Sequence, residues 1–226
     1  MTQFIFRAVG EAALLVDLGD AIDADLSECV VAIDAALRAA PPPGLRETVP
    51  AATSLLILFD PEASEMRTVE AFVREAVGNA VNASREAAEH VIPVCYEGEH
   101  APDMEQLARR TGLSAQAIAK HHAEGDYRVL MYGFAPGFAY LGGVPEPLAV
   151  PRKAAAVRDH KVGSVMIAAG QCIVMPLPMP TGWWVIGRTA IQILRPEADD
   201  PFLFKPGDRI RFERIGSDEL ERQLAR

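Results

Sequence analysis

In its first third the chain interleaves short continuous apolar runs with apolar positions three and four residues apart, and later it settles into short apolar runs broken by Pro and Gly. "FIFRAV" and "AALLVDL" flank Gly10-Glu11 and predict a β-hairpin. Asp25 followed by Glu28 has the spacing of a capping box. It predicts a helix whose Leu26, Val30, Ile33 and Leu37 share one face, ended by Pro41-Pro42-Pro43-Gly44. "SLLILF" predicts a short buried strand stopped by Asp60-Pro61, and "TVEAFVREAV" a second amphipathic helix ending at Gly78. These signals predict a small α+β unit of about 80 residues, near the lower end of domain sizes.

Residues 79–90, "NAVNASREAAEH", lose that periodicity and gain small and polar side chains, the composition of a linker. The expected division is therefore an α+β domain over residues 1–85 and a mainly β domain over 90–226. The second opens on "VIPVCY" and two short helices capped by Asp103 and Ser114, with Gly112 between them. "YRVLMY", "SVMIAA", "CIVM", "WWVIGRT", "IQILR" and "DRIRFE" then predict short strands, and the turns between them suit a closed barrel or a sandwich. "SDELERQLAR" predicts a short polar helix at the end.

Composition narrows the partners. Half of the 226 residues are hydrophobic, enough for a core in each domain. The 22 Lys and Arg against 31 Asp and Glu give a net charge of −9, and no basic stripe interrupts it, which argues against nucleic acid or an anionic membrane. No apolar run approaches the roughly 20 residues that cross a bilayer. "MTQFIFRAVGEAA" has no basic segment leading into an apolar one, so a cytoplasmic location is expected. Cys29, Cys95 and Cys172 are odd in number and far apart, without the histidine spacing of a zinc site, so buried reduced thiols and no metal are expected.

The chain has no GxxxxGK[ST] phosphate loop, no GxGxxG opening a helix, no GxSxG elbow and no HExxH. What remains is "GFAPGFAYLGGVP", residues 133–145, directly after "YRVLMY". Gly133 and Gly137 admit backbone where a Cβ would clash, and Pro136 fixes the turn between them. Phe134, Phe138 and Tyr140 then either fill one end of a barrel or line a pocket there, a wall that Arg188 would face. His121 and His122 end a helix, where the dipole favours their protonated forms; they either cap it in water or meet an anionic substrate. Ser164, Gln171 and Arg188 are polar among apolar strands, and Arg188 calls for a carboxylate from protein or ligand.

Read in order, "IPVCYEGEHAPDMEQLA", "HHAEGDYRVLMYGFAPGFAYLGGVP", "PR", "GSV", "GQ", "GWWVIGRT" and "FKPGDRIRF" resemble the family of the 5-oxoprolinase B subunit, the kinase inhibitor KipI and allophanate hydrolase subunit 1. "RAVGEAALLVDLGDAID" and "VPAATSLLILFDP" extend the resemblance over the N-terminal half. It implies an α+β N-terminal domain followed by a cyclophilin-like β-barrel. It also implies a second subunit similar to the 5-oxoprolinase C subunit, KipA or allophanate hydrolase subunit 2. On the enzyme reading the pair opens the lactam of 5-oxoproline to glutamate with ATP, in a site shared with that partner. By position, His122, Gln171 and Arg188 are then the catalytic candidates, and Gly133, Phe134, Pro136, Gly137, Phe138, Tyr140, Ser164 and Trp183 the substrate-binding ones. The alternatives are a KipI-like inhibitor of a sensor histidine kinase, or an accessory subunit of a urea carboxylase or allophanate hydrolase.

The departures from the family pattern fall together. Ala156 and Val157 replace a second Pro-Arg, Lys161-Val162 replace Pro-Ala, and Thr181 replaces a glycine before Trp183. Met166, Ala169 and Ile173 stand where glycines are usual, Cys172 replaces Thr and Met175 replaces Tyr. Side chains added at glycine positions crowd any ligand that relies on close approach of the backbone.

Overall fold

A computed structural model describes residues 4–80 and 87–225. The chain divides into two compact units, Met1–Ala87 and Ala88–Arg226. In the first, β1 (Ile5–Ala8) and β2 (Ala13–Asp17) form the predicted hairpin, and β4 (Ser54–Phe59) pairs with β2. Helices α1 (Ala24–Ala39) and α2 (Met66–Ala80) supply Val30, Ile33, Leu37, Val69 and Val73 to a core shared with Leu14, Val16, Leu55, Ile57 and Phe59. The sheet order is β1-β2-β4-β3, where β3 (Leu45–Pro50) is an edge strand the pattern does not announce. "LRETVP" buries only Thr48 well, so it carries almost no apolar signal; it is held by pairing with β4 and by Arg38 donating to the Thr48 carbonyl.

Two boundaries differ from expectation. Asp23 caps α1, its carboxylate accepting from the N–H groups of Asp25 and Leu26, so the capping-box reading from Asp25 is two residues late. Helix α2 continues through Gly78 to Ala80, and strand pairing resumes at Glu89, leaving residues 81–86 of the expected linker outside the described residues.

The second unit is a seven-stranded sheet in the order β10-β8-β9-β7-β6-β11-β5. Its strands are β5 (Glu89–Val94), β6 (Tyr127–Tyr132), β7 (Ala139–Gly142), β8 (Ser164–Ala168), β9 (Gln171–Val174), β10 (Trp184–Arg188) and β11 (Arg209–Arg214). All neighbours are antiparallel except β5 and β11. The two end strands meet through Cys95 and Arg188, which exchange both backbone hydrogen bonds at 2.9 Å and close the sheet into the expected barrel. Gly187 makes this closure possible. It lies at a register shift in β10, and a Cβ there would stand 2.6 Å from Val94 Cγ1 and 2.9 Å from the Cys95 carbonyl oxygen.

Strands β8 to β10 are buried on both faces. Val165, Ile167, Cys172, Val174, Trp184 and Ile186 face the main core, which α3 (Met104–Thr111) and α4 (Ala115–Ala123) join through Leu107 and Ile118. Met166, Ala168, Ile173, Met175, Trp183 and Val185 face outward into a second, smaller core. The expected strand "IQILR" is not one: only Leu194 forms a bridge, with Phe202. β7 takes its place in the sheet, hidden in the glycine-aromatic string because its four residues, AYLG, follow a turn without a separate apolar run. Ser114 caps α4 as expected and Gly112 ends α3 in the left-handed region. Asp103 precedes α3 but makes no capping hydrogen bond; its carboxylate instead accepts from Val185 N–H at 2.7 Å and from Lys153 Nζ at 2.5 Å. The polar C-terminal helix is α5 (Ser217–Leu224).

Candidate functional site

The glycine-aromatic string forms a tight turn between β6 and β7. Gly133 N–H donates to the Phe138 carbonyl, Ala135 N–H to Gly133 and Phe138 N–H to Ala135. Gly137 has φ +73°, and a Cβ there would lie 2.9 Å from Leu194 Cβ and 3.2 Å from Pro176 Cβ, so both backbone conformation and packing require glycine. Phe134 also sits at positive φ, +69°, although a bulky L-residue is strained there, and its ring is 73% exposed. The turn thus holds one large apolar ring out in water while Phe138, from the same turn, is buried.

The structure brings Phe134, Phe138, Tyr140 and Trp183 together. Ring centroids lie 5.3 Å apart for Phe134 and Phe138, 5.0 Å for Phe138 and Tyr140, and 6.1 Å for Tyr140 and Trp183. Arg152, the arginine of the "PR" string, is not among the candidate site residues, and it lies over Trp183 at 5.6 Å from the ring centroid. Beneath these rings Met166, Ile173 and Met175 are fully buried. Met166, Ile173 and Met175 therefore have a physical role: they fill the outer core on which the aromatic turn rests.

Ser164 and Arg188 are direct partners in the β8–β10 ladder. The Ser164 hydroxyl donates to the Lys161 carbonyl at 2.7 Å, and Arg188 Nε donates weakly to the Val162 carbonyl at 3.5 Å. Arg188 contributes, in a minor way, to holding the Glu99 carboxyl below its usual range, which is chiefly the effect of the Glu99 hydrogen bond to Lys161. Arg188 is thus not locked into the structural ion pair that its setting allowed. The aromatic turn lies at the same end of the strands as Arg188, with β8 and β9 between them, a separation of roughly 14 Å at ~4.8 Å per strand. Gln171 is at the opposite end of β9, beside the two-residue turn Ala169-Gly170, where both residues have positive φ.

His122 corrects one expectation. Rather than a protonated side chain at a wet helix end, it is 0% exposed inside the main core. Tyr96 Oη lies 2.8 Å from Nδ1 and Cys172 Sγ 3.3 Å from Nε2. Phe212 and Tyr127 pack on the ring at centroid distances of 4.5 and 5.1 Å. A phenol donating to Nδ1 and Nε2–H donating to sulfur satisfies a neutral imidazole, and burial pulls its pKa down to about 3. The same burial raises the Cys172 thiol and the Tyr96 and Tyr127 phenols far above their usual ranges, so none ionises near neutrality. His122, Gln171 and Arg188 consequently do not converge: one lies in the interior and the others at opposite ends of the barrel. Cys95 and Cys172 are buried free thiols, and Cys29 is half-buried. Among the described residues no group of three or more His, Cys, Asp or Glu is placed to hold a metal, and no helix is long and apolar enough to cross a membrane.

Comparison with known proteins agrees with this architecture. The chain is 35% identical to the B subunit of 5-oxoprolinase from Bacillus subtilis (strain 168), over 96% of this chain and 95% of that one. It is 33% identical to the B subunit of 5-oxoprolinase from Escherichia coli O157:H7, over 90% and 93%. The crystal structure of TTHA0988 superposes with a TM-score of 0.80 at 31% identity, covering 94% of this chain, which spans 41% of that longer one. The family model for the carboxyltransferase domain, subdomain C and D, matches residues 4–204 across both units, and the chain belongs to that family.

Proposed function

We propose that this protein is the B subunit of an ATP-dependent 5-oxoprolinase, acting in the cytoplasm with a second subunit similar to the 5-oxoprolinase C subunit. The observation that carries this reading is the match to two 5-oxoprolinase B subunits at 33–35% identity over at least nine-tenths of every chain compared. The geometry supports a shared site. An unstrained lactam needs its carbonyl activated before water opens the ring, and that requires donors converging on one oxygen. The candidate donors here are dispersed, His122 is withdrawn from solvent, Arg188 is half-buried, and Phe134 and Arg152 are exposed.

In this reading Phe134 is an anchor for the second subunit, because an exposed aromatic held in a strained turn gains most when a partner covers it. Arg188 supplies a cation at the same end of the barrel. Phosphoryl transfer from ATP would activate the lactam oxygen. The residues described here assemble no phosphate cradle, so no step is assigned to the nucleotide within this chain. His122 acts as a core residue that fixes α4 against the barrel, not as a substrate contact.

Reconstitution tests the reading. The purified chain alone should release no phosphate from ATP in the presence of 5-oxoproline. Mixing it with the other subunits of the Bacillus subtilis enzyme, in place of that enzyme's own B subunit, should restore 5-oxoproline-dependent release. No turnover in a mixture that is active with the native B subunit would refute it.

A further inference from the structure

A second site lies away from the aromatic turn. Strand β5 is hydrogen-bonded to β11 along one edge, while its other edge is joined to β10 only through the Cys95–Arg188 bridge. Along that open edge the arm of residues 191–203 folds over β5, tied into its own loop by Leu203 N–H to the Ile193 carbonyl and Arg195 N–H to the Pro201 carbonyl. Between strand and arm is a cavity of about 450 Å³, an open cleft rather than an enclosed chamber.

The polar groups around this cavity are built, not incidental. His90 lines it, and its Nε2 lies 3.0 Å from Asp208 Oδ2. The Asp208 side chain is 2% exposed and also accepts from Lys205 N–H at 2.8 Å and Ala88 N–H at 3.3 Å. A buried carboxylate with that many donors orients the imidazole, keeps the proton on Nε2, and leaves Nδ1 as an acceptor with no hydrogen bond to any described residue. Phe204 packs edge-on to the ring at 5.2 Å and fixes its plane. Arg195 lines the cavity and forms no ion pair within 4.0 Å with a described carboxylate; Asp200, on which it exerts only a minor attraction, is paired with Lys205 at 3.0 Å, and the lining carboxylate Glu89 is compensated by Arg211 at 3.6 Å. Ile92, Ile191 and Leu203 supply apolar wall.

We propose that this cavity binds a small carboxylate with a compact apolar body and one hydrogen-bond donor: its carboxylate on Arg195, its N–H or O–H on His90 Nδ1, and Asp208 as the positioning residue. Naming a five-membered lactam acid as the occupant rests on the 5-oxoprolinase reading; the class of ligand rests on the cavity alone.

The test is direct titration of the full chain, followed by NMR, with 5-oxoproline, 2-pyrrolidone (no carboxylate) and cyclopentanecarboxylate (no N–H). 5-Oxoproline should bind saturably and at least tenfold more tightly than either analogue. Arg195→Gln should weaken 5-oxoproline tenfold or more without changing the affinity for 2-pyrrolidone, and His90→Phe should erase the difference between 5-oxoproline and cyclopentanecarboxylate. Arg195 is exposed, so the variant retains the fold, and an unchanged melting temperature confirms this. No saturable binding by the wild-type chain, or equal affinity of wild type and Arg195→Gln, overturns the inference. The reconstituted assay separates it from the functional reading. Binding without turnover leaves a small-acid site on a protein that is not an oxoprolinase subunit. Turnover by the reconstituted enzyme without saturable binding to the chain, or with an affinity unchanged by Arg195→Gln, leaves the 5-oxoprolinase reading intact and removes this site.

Discussion

Acidifying the protein from pH 7.5 to 4.5 should destabilise the barrel unit through His122. Its folded pKa is about 3 because it is buried, and once exposed by unfolding it returns to the ordinary value of 6.5. Above pH 6.5 the imidazole is neutral in both states and burying it costs nothing in proton binding. Below pH 6.5 the unfolded chain takes up a proton that the native chain refuses, so stability falls as pH falls, levelling off only near pH 3. The slope is about 1.4 kcal/mol per pH unit, and the loss by pH 4.5 is roughly 2.5 kcal/mol, a large share of the stability of an ordinary domain. Both tryptophans, Trp183 and Trp184, lie in the barrel unit, so intrinsic fluorescence in urea titrations follows that unit alone. His122→Gln removes the titration. The stability difference between wild type and variant should be constant from pH 8 to 7 and shrink by about 2.5 kcal/mol by pH 4.5. A difference independent of pH over that span, or a native His122 resonance titrating near pH 6.5, would refute the reasoning.

Gly187→Ala should destabilise the barrel unit by about 2–3 kcal/mol, because the added methyl meets Val94 and the Cys95 carbonyl at the closing bridge; a fluorescence transition within 0.5 kcal/mol of wild type would contradict this. Gly137→Val should lower stability by about 2–4 kcal/mol as well as disturbing the aromatic turn, since a β-branched residue at φ +73° is strained and its Cβ crowds Leu194. Ala169→Asn should stabilise by about 0.5–1 kcal/mol, because Ala169 has φ +49° at the first position of the β8–β9 turn and Asn tolerates that region better; a lowered melting temperature would count against it. Residues 88–226 expressed alone should show the same cooperative fluorescence transition as the whole chain, and a non-cooperative one would show that the barrel depends on the first unit.

Local chemistry made much of this protein legible in its sequence. The β1–β2 hairpin, both long helices, the Ser114 cap and most barrel strands are written in apolar periodicity and turn residues, because each depends on neighbours a few positions away. The glycines at 133 and 137 and the rings of Phe134, Phe138 and Tyr140 mark the aromatic turn for the same reason. What escaped depends on contacts distant in sequence. β3 and β7 are strands because β4, β6 and β9 lie beside them, and "IQILR" is not one because no strand pairs along its length. Asp103 looks like a helix cap until Val185 and Lys153 arrive from 82 and 50 residues away to take its carboxylate. His122 looks like a solvated cation at a helix end, and only the barrel that brings Tyr96, Cys172 and Phe212 around it makes it a neutral core residue. Sequence assigns a side chain its intrinsic pKa and its helical neighbours. Burial, which decides whether that side chain is charged, exposed or able to meet a ligand, is set by how the strands close, and here the closure depends on a backbone bridge between Cys95 and Arg188.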